Sequence, residues 1–251
     1  MSRRPAVLVI AGSDSSGGAG IARDLRVLAD LQMEAVCAIS AVTAQTHGRV
    51  ISVHHVPPEI VGAQIRAALE SGSVAAIKIG MLGSGATVAA VAQSLPPGGT
   101  IPIVLDPVLL SSSGGVLLDE EGRAEMRARL FPLATVLTPN IPEAAALCAA
   151  PPAASREELL AQARALLATG PRAVLLKGGH AAGAEAVDLL LTALAEPQWL
   201  SSPRLEARCR GTGCALASAI AAALAMGSSV EDACRSGKQY VLSLLSGSVY
   251  S

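Results

Sequence analysis

Six short aliphatic runs, most of them bounded by Gly, Pro or Asp, constrain this chain more than any other feature. They are "AVLVIA" (6–11), "EAVCAISA" (34–41), "AAIKIG" (75–80), "IPIVLD" (101–106), "ATVLTP" (134–139) and "AVLLKG" (173–178). Such runs read as buried strands. Helical patterns alternate with them. "PEIVGAQIRAALESG" puts Ile60, Val61, Gln64, Ile65, Ala68 and Leu69 on one face, and "EELLAQARALLATG" does the same with Leu159, Leu160, Ala163, Leu166 and Leu167 before Gly170. The alternation predicts an α/β fold, a mostly parallel sheet with helices on both faces, in one domain over residues 1–251.

Composition narrows the function. Hydrophobic residues make up 51% but aromatics only 2%, so the core is built from Ala, Leu, Val and Ile. A formal net charge of −1 with scattered Lys and Arg gives no footprint for nucleic acid. The opening run breaks into "GSDSSGG" and reads as a first strand rather than a signal peptide, and Cys214 to Met226 is too short for the ~20 residues of a membrane span. Five cysteines without a Cys-x-x-Cys motif argue against a disulfide framework or a zinc ribbon, so the cytoplasm is the expected location. Cys37, Cys148 and Cys234 read as small core fillers.

In an open parallel sheet, ligands bind beyond the carboxyl ends of the strands, so each strand end is a candidate site. The first ends in "AGSDSSGGAG", neither a Walker A loop nor a G-x-G-x-x-G fingerprint. It is either a flexible turn or a loop that brings backbone to a small ligand, with Asp14 and Asp24 as acceptors. "TAQTHG" places Gln45 at the top of the sheet, as a solvated side chain or as an amide that reads a ring carrying both an amine and a ring nitrogen. Asp106 in "VLDPV" caps a helix or faces a magnesium-bound nucleotide. In "LTPNIPEAAAL", Asn140 falls near an N-cap, with Glu143 complementing the helix dipole or joining Asn140 as oxygen donors around magnesium. "LLKGGH" ends a strand on Lys177 and two glycines, a cation and open amides suited to a triphosphate.

The stretch "RCRGTGCALASAIAAALAMG" puts Gly211, Thr212, Gly213 and Cys214 at the mouth of a long apolar helix. Helix-start amides attract anions, and a thiol there is expected to have a depressed pKa. A phosphoryl group held by those amides would set Cys214 beside the attacking hydroxyl, as a base. The plain alternative is a tight helix start.

Together "VLVIAGSDSSGGAGI", "TAQT", "IKIGML", "LDPV", "LTPNIPEAAAL", "LKGGH" and "GTGCALASAIAAALA" resemble, in that order, the hydroxymethylpyrimidine/phosphomethylpyrimidine kinases of thiamine biosynthesis, from about residue 6 to residue 240. The resemblance implies a ribokinase-like three-layer α/β/α sandwich without a separate lid, usually dimeric. It implies phosphorylation of 4-amino-5-hydroxymethyl-2-methylpyrimidine, then of its monophosphate, with ATP and Mg²⁺. Gln45, Gly12, Met81, Val108 and Asp24 would bind the pyrimidine, and the amides of "GTGC" would form the anion hole with Cys214 as base. Asp106 and Glu143 would hold the metal, and Asn140, Thr212, Lys177 and Lys238 the nucleotide. The sequence departs from the pattern at Cys209 and Arg210, where relatives carry a Thr-His type pair, and in stopping at "GKQYVLSLLSGSVYS", where relatives continue into a glycine-rich segment.

Three other readings remain open on the residues alone. A pyridoxal or related vitamin kinase would present a similar ring. A hydrolase pairing Cys214 with His47 or His180 leaves Asn140, Glu143 and Lys177 without a role. The third is a pyrimidine-binding protein without catalysis.

Overall fold

Ala6 to Ala11 carry no polar side chain, so this run is stable only where both of its faces are covered. The computed structural model, which describes residues 5–111, 114–179, 184–205 and 209–247, covers both. In chain order the elements are β1 (Ala6–Asp14), α1 (Gly20–Asp30), β2 (Glu34–Gln45), β3 (Val50–His55), α2 (Pro58–Glu70), β4 (Val74–Ile79) and α3 (Gly85–Ser94). Then follow β5 (Ile103–Leu105), α4 (Glu120–Arg129), β6 (Val136–Leu137), α5 (Ile141–Cys148), α6 (Arg156–Leu167) and β7 (Ala173–Leu176). The chain closes with β8 (Glu185–Thr192), β9 (Gln198–Pro203), α7 (Thr212–Ala225) and α8 (Val230–Leu245).

The strands form one sheet in the order β3-β2-β1-β4-β5-β6-β7-β8-β9. The central pairings from β2 to β7 are parallel, whereas β3, β8 and β9 join antiparallel. The six expected runs are all present as strands, and the mostly parallel α/β fold is as expected. The three antiparallel strands lie outside those runs. β3 is largely exposed and β9 alternates in burial, because each carries polar residues at the rim of the sheet.

Alternation along each strand sorts the core into two layers. Leu8 and Ile10 join Ile77, Ile79 and Leu105 under Val61 and Ile65 of α2 and Val88 and Val91 of α3. Val7, Val9 and Ala11 join Ala76 and Val104 under Leu28 of α1 and Leu216 and Ile220 of α7. Helix α7 is buried around most of its circumference from Ala215 to Leu224, and its many alanines let it lie close to the sheet. The expected face of α2 needs one correction. Ile60 is 50% exposed, and Gln64 instead bonds both the N–H and the carbonyl of Ile39, which fastens α2 to β2.

One close backbone contact sets the geometry at the end of β1. Gly20 opens α1 at φ +57°, and a Cβ there would stand 2.2 Å from the Gly12 carbonyl oxygen. Only glycine fits. Gly20→Ala combines left-handed backbone strain with overpacking and is expected to cost roughly 2–5 kcal/mol. Urea unfolding followed by circular dichroism checks this, and a loss below about 1 kcal/mol contradicts the assigned contact.

Candidate active site

The carboxyl ends of the parallel strands surround a cavity of about 1090 Å³. Its position follows from the reversal of strand order beside β1, where connections leave in opposite directions. At one end lie Gly12 and Asp14 of β1, Thr43 and Gln45 of β2, and Met81 beyond β4. At the other lie Asp106, Asn140, Glu143, Lys177 and Lys238, with Gly211 to Cys214 between them.

The charged part of the cavity is built around Lys177. Its ammonium donates to Asp106 Oδ1 at 2.7 Å and stands 3.9 Å from Glu143 Oε2. Burial opposes the charge of Lys177, but Asp106 and Glu143 outweigh it and raise the pKa. Thr138 Oγ1 donates to the same Asp106 oxygen at 3.1 Å. Asn140 is the N-cap of α5, its Oδ1 accepting from Glu143 N–H at 2.8 Å, while Glu143 Oε2 accepts from Asn140 N–H at 2.8 Å. This capping box aims the Glu143 carboxylate toward Lys177. Burial and, less strongly, Asp106 push the Glu143 pKa up, Lys177 and the Asn140 hydrogen bonds pull it down, and the balance leaves it at about 7.

Helix α7 brings its N-terminus to this cluster. Gly211, in the left-handed region at φ +73°, is the N-cap, and Ala215 N–H to Gly211 O at 2.9 Å is the first bond of the helix. The amides of Thr212, Gly213 and Cys214 therefore precede any intrahelical acceptor. A Cβ on Gly213 would come within 3.2 Å of Lys177 Nζ and 3.6 Å of Asp106 Oδ2. Open amides, an ammonium and a carboxylate thus converge on one point, which suits an anion accompanied by a cation.

Asp106 and Glu143 fit a magnesium ion. Both donors are hard oxygens, and burial first, with Asp106 adding to it, raises the pKa of Glu143 against the pull of Lys177. Mg²⁺ typically takes one or two carboxylates and completes its shell with phosphate and water. Among the described residues no group of three or more His, Cys, Asp or Glu gathers into a metal site, so phosphate oxygens would have to supply the rest.

Several expected residues change role. Asp24 does not reach the cavity: it is fully buried, Oδ2 accepting from Lys78 Nζ at 2.7 Å and Oδ1 from Ser218 Oγ at 2.8 Å. The Gly178 amide is not open to phosphate, because it donates to Asp188 Oδ1 at 2.8 Å. Lys238 lines the cavity but donates to Asp188 Oδ2 at 2.8 Å and to Ala186 O at 2.9 Å. The thiol of Cys214 is not acidic. Burial pushes it up to about 11, with Asp24 and Asp106 adding to the rise against Lys78 and the Gly20 N–H.

Lys78, Thr138 and Asp188 were not expected. A lysine inside "AAIKIG" was the available signal for the first, since a charge within an aliphatic run needs a buried partner. Arg210 ties the start of α7 to the ends of β1 and β2, donating to Ser16 Oγ at 3.1 Å and Thr46 O at 3.2 Å, with Asp14 at 3.7 Å. His47 stands 3.5 Å from the Arg210 guanidinium and is not part of the cavity wall, and His180 lies outside the described residues.

Comparison with known proteins gives a consistent picture. A family model described as phosphomethylpyrimidine kinase matches residues 14–250. A hydroxymethylpyrimidine/phosphomethylpyrimidine kinase of Streptomyces coelicolor is 46% identical over 238 residues, covering 94% of this chain and 87% of the relative. The crystal structure of a phosphomethylpyrimidine kinase from Clostridium difficile superposes with a TM-score of 0.83 at 34% identity, covering 96% of this chain and 99% of that one. A pyridoxal kinase from Staphylococcus aureus, in complex with AMP-PCP and pyridoxal, superposes with a TM-score of 0.88 at 28% identity, covering 97% and 88%.

The central place of Lys177 is open to test. Lys177→Met removes a charge-assisted hydrogen bond and leaves two carboxylates facing the cavity, and is expected to weaken ATP binding by about tenfold to a hundredfold. Calorimetric titration of the folded variant checks this. Unchanged affinity excludes Lys177 from the nucleotide site.

Proposed function

The chain belongs to the phosphomethylpyrimidine kinase family, and we propose that its single catalytic domain carries both phosphorylations of the hydroxymethylpyrimidine in this one cavity. It is an ATP-dependent phosphotransferase of thiamine biosynthesis, acting on 4-amino-5-hydroxymethyl-2-methylpyrimidine and on its monophosphate. The observation that carries the site assignment is the approach of Gly213, at the open start of α7, to Lys177 and Asp106.

In this reading Gln45, Gly12, Met81 and Val108 hold the pyrimidine at the β1–β2 end. Gly12 matters by its size, since a Cβ would stand 2.9 Å from the Met81 sulfur and close the space beside it. The amides of Thr212, Gly213 and Cys214 hold the transferring phosphoryl group, and Lys177 offsets its charge. Asn140 and Lys238 frame the nucleotide end, Lys238 by holding Asp188. Magnesium, bound by Asp106 and Glu143 together with phosphate, would neutralise charge on the phosphates. The acceptor hydroxyl forms a bond to the γ-phosphorus as the bond to the ADP oxygen breaks, and the hydroxyl proton passes to Cys214 Sγ. Positioning and electrostatics carry most of such a reaction.

Free thiols at all five cysteines fit a reducing cytoplasm. Val42 and Ile51, 50% and 60% exposed on neighbouring strands, are a surface that a second copy of the chain would cover in a homodimer. Sedimentation equilibrium tests that assembly.

The decisive assay is ADP release with Mg-ATP against the pyrimidine, its monophosphate, pyridoxal and ribose. Turnover is expected on the first two. Turnover on pyridoxal alone replaces this reading with a pyridoxal kinase. Cys214→Ala is expected to lower kcat by about a hundredfold or more while ATP affinity stays within about twofold. Because its surroundings, burial above all, push the thiol up to about 11, its base form is scarce at neutral pH. With the unphosphorylated pyrimidine, kcat/KM is therefore expected to climb up to about tenfold per pH unit between roughly pH 7.5 and 9. A flat profile removes the thiolate from the rate-limiting step.

A further inference from the structure

A fully buried lysine in the middle of a parallel sheet requires a reason. Lys78 has 0% relative exposure, although its neighbours in β4 are aliphatic. Replacing a buried ion pair by well-packed aliphatic residues is often neutral or stabilising, so a retained pair is weak evidence for a purely structural role. Its surroundings point to a second role. Lys78 lies on the sheet face covered by α1 and α7, with Asp24 of α1 at 2.7 Å from its ammonium. Asp24 also accepts from Ser218 of α7, one helical turn beyond Cys214 and on the same helical face. The clamp therefore holds together three elements, β4, α1 and α7, directly beneath the start of α7.

The ammonium itself is fully buried. Lys78 forms part of the same cavity wall as Cys214, and Asp24 Oδ2 is its one hydrogen-bond acceptor among the described residues. Gly80 leaves room for it, since a Cβ there would stand 2.9 Å from Lys78 Nζ. We propose that Lys78, clamped by Asp24 and through it by Ser218, is a positioning residue that holds the Cys214 sulfur in its anionic form as it takes the hydroxyl proton. The inference rests on the reading of Cys214 as the base. The charged groups acting on that sulfur are Lys78 from β4 and Lys177 from the end of β7, opposed by Asp24 from α1 and Asp106 from the end of β5. Lys78 is the strongest of the influences favouring the anion, and burial is the largest against it.

The sign of two substitutions separates this role from a structural one. Alkylation of Cys214 by iodoacetamide, followed peptide by peptide in the full-length protein from about pH 7 to 9, reads the thiolate fraction independently of turnover. Lys78→Met is expected to slow Cys214 alkylation by about tenfold, the effect of one pKa unit. Asp24→Asn, which removes the opposing charge, is expected to speed it by a similar factor, and Lys78→Arg to restore the wild-type rate. kcat with the pyrimidine follows the same order while KM for ATP stays within about twofold. Acceleration in both Lys78→Met and Asp24→Asn means that the pair merely packs the site, and overturns the proposal. Should Lys78→Met fail to fold, an unchanged rate in Asp24→Asn overturns it equally. If the alkylation rates move as expected while kcat stays constant in all variants, the base assignment of Cys214 is what fails, and the proposal falls with it.

Discussion

A parallel sheet covered by helices on both faces leaves its functional groups one place to meet, the row of strand ends beyond the last hydrogen bonds. What organises that row here is a repeated device, a lysine with its ammonium clamped by an aspartate. Lys78 meets Asp24 at 2.7 Å, Lys177 meets Asp106 at 2.7 Å and Lys238 meets Asp188 at 2.8 Å. Each pair joins different elements: β4 to α1, the end of β7 to the end of β5, and α8 to β8. Isolated ammonium groups this deep would lose too much hydration to persist as charges. The aspartates keep the cations charged and also fix where they point.

Much of this was legible in the sequence, for identifiable reasons. Period-two burial on both faces leaves a continuous aliphatic run, so β1, β4 and β7 read clearly. Antiparallel rim strands such as β3 carry polar residues on exposed positions and lack that signature. Gln45, Asp106, Asn140, Glu143, Lys177 and the "GTGC" turn line one cavity because strand ends and helix starts announce themselves through Gly, Pro and Asn. Asp24 was misread as a ligand acceptor, yet its spacing gave its burial away. It lies three residues after Ile21 and three before Val27, on the apolar side of α1. The partner that makes such burial tolerable, Lys78, is 54 residues away in sequence, a pairing only the fold reveals.

The acidity of Cys214 shows where local reasoning stops. A helix start favours a thiolate, and taken alone it predicts a depressed pKa. The same location in a covered α/β domain is dehydrated and flanked by Asp24 and Asp106, and these effects outweigh the helix and Lys78. The two views agree on position and differ in protonation state. Neutral at rest, the thiol must lose its own proton before its sulfur can take one from a hydroxyl, so the thiolate on which the proposed base role depends is the minor form.

The same logic separates the lysines by function. Lys177 stands where Gly213 of α7 would meet it first if that residue bore a side chain. Lys238 reaches the cavity wall but is directed to Asp188, whose other oxygen accepts from the Gly178 amide. Gly178 in turn lies so close to Val187 that a Cβ would stand 1.8 Å from its carbonyl oxygen. Lys238 therefore acts, through Asp188, on the backbone at Gly178 just beyond β7. Neutralising Asp188 lets that carboxylate hold the Gly178 amide without becoming an uncompensated charge in the wall. A lysine that the family resemblance put on the nucleotide side is thus tied to the carboxylate that secures the Gly178 backbone.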